Sequence, residues 1–142
     1  MNLQIATVLS CTTDGCLVQP VDGGTTIATR YSAAIVKYGI PIRPDQFVII
    51  DTATTPPETI FRWSRATVIK VEGNRVELTD NGQRLLAAGG ANLTALNPGD
   101  EVVLQGYNDE NRQVIDMVVN GKPAHTDQLA AAWFPQMVHY RA

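Results

Sequence analysis

Two thiols stand close together in Cys11-Thr12-Thr13-Asp14-Gly15-Cys16. Thiols can hold a metal, close a disulfide or attack as thiolates. A structural zinc site needs a second Cys or His pair at a useful distance, and none follows. The two histidines, His125 and His139, are late and isolated, and read as surface or interface residues. His125-Thr126-Asp127 offers two metal ligands on one loop, too few to make a site. No Gly-x-Ser-x-Gly elbow occurs, and Gly89-Gly90 lacks the Lys-Ser/Thr of a phosphate-binding loop. The acidic residues are scattered near turns, as solvated side chains are. The residues therefore point away from an enzyme, with no catalytic residue, metal or cofactor expected.

The elements that carry these residues read as strands. Ile5-Ala6-Thr7-Val8-Leu9 is rich in β-branched residues and leads to the turn dipeptide Asp14-Gly15. Cys16-Leu17-Val18 returns as far as Pro20, and Gly23-Gly24 turns the chain again into a strand over 25–30. Residues 32–38 read as a short helical or looped piece, closed by Gly39 and Pro41. Phe47-Val48-Ile49-Ile50 is an apolar run of buried-strand length, and Thr59-Ile60-Phe61-Arg62-Trp63 looks like a closing strand. Ala6-Thr7-Val8-Leu9 then recurs as Ala66-Thr67-Val68-Ile69, 60 positions on. Pro44-Asp45-Gln46-Phe47-Val48-Ile49-Ile50 recurs as Pro98-Gly99-Asp100-Glu101-Val102-Val103-Leu104, 54 positions on. Residues 113–119 close this second unit before Asn120-Gly121. Repetition at this period, with short strands and regular turns, predicts an all-β chain of two tandem five-stranded barrels related by an internal repeat.

At the first offset Cys11 and Cys16 fall on Val71 and Val76. Each pair flanks a four-residue turn, so the partners are expected to face each other across a hairpin. All four read as small apolar packing residues. A disulfide lies within hairpin geometry, but a cytoplasmic origin argues against it. The division expected is 1–63 for the first barrel, 64–121 for the second and 122–142 for a C-terminal arm. In the arm, residues 126–134 read as a short helix ended by Pro135. Trp133, Phe134, Met137 and Tyr140 either fold back onto a barrel or dock on a protein partner.

Composition narrows the function classes. With 11 Lys+Arg against 14 Asp+Glu the net charge is −3, without the basic excess usual for nucleic-acid binders. Hydrophobic residues make up 44% of the 142, enough for a core. No stretch approaches the roughly 20 apolar residues of a membrane span, and no signal-peptide pattern opens the chain. A cytoplasmic or virion location is the expectation, with no membrane partner.

The first unit resembles the OB-fold domain of the smallest bacterial translation initiation factor and its single-stranded-RNA-binding relatives. The resemblance covers residues 4–63, through Ala6-Thr7-Val8-Leu9, Leu17-Val18, Ile27-Ala28 followed by Ser32, and the segment from Lys37 to Ile49. It implies an OB-like barrel and, as its activity, binding of single-stranded nucleic acid. Arg30, Tyr31, Lys37, Tyr38, Arg43, Arg62 and Trp63 are the residues that could form such a surface. RNA-binding relatives carry several basic residues in the Ser-led turn; here it reads Ser32-Ala33-Ala34-Ile35-Val36, and only Lys37 remains. The build is also similar to small-barrel virion components of tailed bacteriophages, such as head–tail connectors, tail or baseplate adaptors and capsid cement proteins. The reading favoured is a structural or assembly protein acting through protein contacts, as a homo-oligomer or within a larger assembly. The alternative is a single-stranded nucleic-acid-binding module.

Overall fold

The structure, a computed structural model, describes residues 2–89, 96–106, 108–126 and 129. Among the described residues the defined elements are ten strands and one short helix. The chain divides between Trp63 and Ser64 into two compact units, the second of which runs to Leu129.

In the first unit β1 (Leu3–Cys11), β2 (Gly15–Pro20), β3 (Ile27–Tyr31), β4 (Phe47–Asp51) and the first part of β5 (Glu58–Glu72) pair in a closed ring. The order is β1-β2-β3-β5-β4 and back to β1; only β3–β5 is parallel. Between β3 and β4 lies α1 (Ala33–Tyr38). Ser32 caps it by accepting a hydrogen bond from the Ile35 N–H, and Gly39 ends it in the left-handed region at φ 59°. Ala6, Val8, Cys16, Val18, Val48 and Ile50 form the interior. Burying each of the Val and Ile side chains among them contributes about 2 kcal/mol.

The second unit takes the rest of β5, then β6 (Arg75–Asp80), β7 (Gln83–Ala88), β8 (Glu101–Gln105) and β9 (Gln113–Val119), in another closed ring. Here the parallel link is the single pair Ala88↔Gln113. Its interior holds Ala66, Val68, Val76, Leu78, Ala87, Val102, Leu104 and Val114. β10 (Lys122–Pro123) pairs with β9, so the second unit continues past residue 121, where the sequence suggested an arm.

Both rings bend through β-bulges. One lies in β1, where Val8 pairs with Val18 and Ser10 with Leu17, leaving Leu9 extra. Its counterpart in β5 leaves Ile69 extra, between Val68↔Leu78 and Lys70↔Glu77. Ile60 is extra in the β4–β5 pairing and Ile115 in the β8–β9 pairing. A bulge raises the local twist, which a sheet of five strands needs in order to close on itself.

Candidate functional site

The first hairpin places its thiols by backbone register. The Thr12 N–H donates to Gly15 O at 2.8 Å. Thr12 Oγ1 in turn accepts from the Asp14 and Gly15 amides at 3.3 Å each. Thr12 and Gly15 are thus a hydrogen-bonded pair, and the next pair along, Cys11↔Cys16, is a non-hydrogen-bonded one. Such pairs are the closer of the two kinds in an antiparallel ladder. The sulfurs are 3.6 Å apart, and both thiols are free. The Cys16 thiol also donates to Tyr31 Oη at 3.5 Å, while the Tyr31 hydroxyl donates to Thr12 O at 2.9 Å. Burial pushes the Cys16 thiol up to about 12, against the lowering effect of its bond to Tyr31. Burial, then the Cys16 contact, also pushes the Tyr31 phenol above its ordinary value. Facing across the hairpin was the expectation for both cysteines, and Val71↔Val76 meet in the same way in the second hairpin.

The residues proposed for nucleic acid do not make one platform. Trp63 is 2% exposed and packs edge-to-face on Phe61 at 5.4 Å, so its indole is buried and offers no open stacking surface. The Tyr31 hydroxyl is held by the thiol hairpin. Arg30 lies 3.7 Å from Glu58. Arg43 is in the loop before β4, its amide donating to Gln46 Oε1, and Arg62 is half-buried on β5. Lys37 and Tyr38 are exposed at the end of α1, with the ammonium 5.6 Å from the centre of the phenol. On the outward side of β2 and β3, Leu17 stands opposite Ala28, both exposed. Leu9, in the neighbouring bulge, is exposed too.

Several cations of the second unit are paired with carboxylates. Arg65 holds Glu101 at 2.6 Å and Arg112 holds Asp109 at 2.6 Å; Lys70 sits on Glu72 and Arg84 on Glu77. The Asp109 carboxyl is held below its ordinary value, first by the Leu86 amide and then by Arg112.

One arrangement has no precursor among the sequence motifs. Asp116 is 2% exposed within the apolar run of β9. Its Oδ1 accepts from the Met117 amide at 2.8 Å, and its Oδ2 from the His125 amide at 2.7 Å. Oδ1 also lies 2.8 Å from His125 Nδ1, whose side chain is largely exposed. The sequence reading left His125 isolated; the structure gives it a partner nine positions back. The available signal was a carboxylate at an inward position of a strand, which must be satisfied if it is to stay buried. Among the described residues, no group of three His, Cys, Asp or Glu could hold a metal ion. No described helix is long and apolar enough to cross a membrane. Trp133, Phe134, Met137 and Tyr140, with most of the expected terminal helix, lie outside the described residues.

No protein-family model matches the chain, and no curated protein matches it. Among solved structures it is similar to a multidomain protein with nucleic acid binding domains from Streptococcus pneumoniae, at 10% identity over 94% of this chain. The chain spans 58% of that protein, and the TM-score is 0.29. A likeness that low assigns neither a family nor a role.

Proposed function

We propose that the chain is a non-catalytic structural or assembly protein that works through protein–protein contacts, built as two small OB-like barrels related by an internal repeat. The observation that carries this reading is the outward side of β2 and β3. An OB-type nucleic-acid surface uses that face, and needs cations and exposed aromatics there. Here it presents Leu17 opposite Ala28, with Leu9 beside them, and its Arg30 lies against Glu58. Uncharged apolar side chains at the centre of a face suit a protein partner better than a polyanion. The repeat is supported by the shared bulges and by pairings that recur 60 and 54 positions on. A short-looped build of this kind fits a component of a larger particle, such as a connector, adaptor or cement protein of a tailed-phage virion; architecture alone supports that setting.

A second reading, a single-stranded nucleic-acid-binding module, has the exposed Lys37–Tyr38 pair in its favour. Two measurements separate the readings. Light scattering across a concentration series should show self-association or capture into a larger assembly. Fluorescence anisotropy with a labelled single-stranded oligonucleotide at low salt should show no saturable binding. A strict monomer that binds the oligonucleotide with a steep salt dependence would replace the first reading with the second.

A further inference from the structure

We propose that Cys11 and Cys16 form a redox-active dithiol, in which Cys11 attacks a small-molecule disulfide of the glutathione class and Cys16 resolves the adduct into a cross-strand disulfide. The pair sits in direct register across β1 and β2, with sulfurs 3.6 Å apart. Opposed non-hydrogen-bonded residues have Cα atoms about 4.5 Å apart, at the short end of the span a disulfide tolerates. Closing the bond therefore asks for side-chain rotation and no strand movement.

The two thiols are not equivalent. Cys11 is half-buried near the hairpin tip, where a soluble disulfide can reach it. Cys16 is 4% exposed, turned to the interior and bonded to Tyr31. Its thiol is also pushed up to about 12 by burial, so it is a poor first nucleophile. Once Cys11 carries a glutathione, the sulfur to be attacked is already beside Cys16, and proximity replaces nucleophilicity. Packing by itself does not account for sulfur at these positions. Val71↔Val76 occupy the corresponding register of the second hairpin with ordinary side chains.

The steps balance. The Cys11 thiolate attacks one sulfur of glutathione disulfide, forming Cys11–S–S–glutathione and releasing one glutathione thiolate. Cys16 gives its proton to water and attacks Cys11 Sγ, releasing the second glutathione thiolate. Two protein thiols are oxidised and one glutathione disulfide is reduced. The closed form loses the S–H that Tyr31 Oη accepts, while the tip Thr12–Gly15 becomes covalently tied.

The test uses the full chain, equilibrated near neutral pH in glutathione buffers of increasing oxidised fraction, acid-quenched and read by intact mass and peptide mapping. Wild type should lose two hydrogens and carry no glutathione, with Cys11 and Cys16 in one linked peptide. Cys16→Ser should accumulate one glutathione on Cys11. Cys11→Ser should be modified on the order of tenfold more slowly. Wild type that stays reduced in oxidised glutathione alone, that keeps the adduct, or that links only to a second copy would overturn the proposal. Equal rates for the two single variants would overturn the assigned roles. The wild-type arm reads out whether or not either variant folds.

Discussion

The two strand rings share a pairing scheme and differ in how they fill it. Thr7 pairs with Phe47 and Ala6 with Val48; Thr67 pairs with Glu101 and Ala66 with Val102. Val8 receives Asp45 N–H and donates to Gln46 O, just as Val68 receives Gly99 N–H and donates to Asp100 O. Asp45 and Gly99 both have positive φ, 71° and 94°. With the frame held constant, each substitution of filling is informative. Phe61 stands opposite Ile49, and Asp116 stands opposite Val103 at the corresponding place. In the first ring that place carries an aromatic stacked on Trp63. In the second it carries a buried carboxylate that holds His125 and the segment after β9. The same register can thus be closed by apolar packing or by a satisfied buried charge. The first depends on shape and the second on three converging hydrogen bonds.

The contrast can be broken at several points. Trp63→Ala should cost about 4 kcal/mol of unfolding free energy, since it empties a large buried side chain beside Phe61. By the same register Val118 takes its place in the second ring, and Val118→Ala should cost only about 1 kcal/mol because it is half-buried. Urea denaturation measures both, and equal costs would end the comparison.

Gly15→Ala should cost about 3 kcal/mol, because a Cβ there would sit 1.8 Å from Thr29 O. Arg75, its counterpart opposite Ala88, is exposed, and Arg75→Ala should change stability by less than about 0.5 kcal/mol. Asp116→Ala should cost about 2 to 3 kcal/mol by orphaning the Met117 and His125 amides, and hydrogen exchange at His125 should speed up.

Transplanting the thiols sharpens the likeness. Val71→Cys with Val76→Cys should oxidise to an intramolecular disulfide worth about 2 kcal/mol for so short a loop. Failure to close would mean the two hairpins differ in more than side chains. A further effect is alkaline. The Cys16 thiol ionises at about 12 when folded and near its ordinary 9.0 when unfolded, so above pH 9 the unfolded chain gives up its proton first. Stability contributed by this group is complete below that pH and falls as pH rises toward about 12. Cys16→Ala should flatten that slope in thermal melts; an unchanged slope would move its source elsewhere.

Much of the frame was legible in the chain. Ile5-Ala6-Thr7-Val8-Leu9 and Phe47-Val48-Ile49-Ile50 were read as strands and lie in β1 and β4, because runs of β-branched residues suit a pleated backbone. β7 was not legible: Gln83-Arg84-Leu85-Leu86-Ala87-Ala88 has no β-branched residue and is a strand through its pairing with β6, where context overrides propensity. β5 was read as two strands because Thr59-Ile60-Phe61-Arg62-Trp63 looked like a closing strand and the pattern restarts at Ala66; Ser64 and Arg65 pair with β8 instead, and the strand is continuous. Trp63 was offered for a nucleic-acid surface because it is an aromatic beside arginine, yet it is buried, on the same face as its strand partner Phe47. The Asp116–His125 contact spans nine positions and a turn, and no spacing rule anticipates it.

β5 runs for 15 residues without a loop, and the division between the units falls on its Trp63–Ser64 peptide bond. The chain consequently has no loop there to nick, lengthen or splice. A gene fragment ending at 63 would stop a strand in mid-run, and one beginning at 64 would start with a raw strand end. Dissection of this protein has to proceed by substitution within an intact chain, or by letting each fragment keep the whole of residues 58–72.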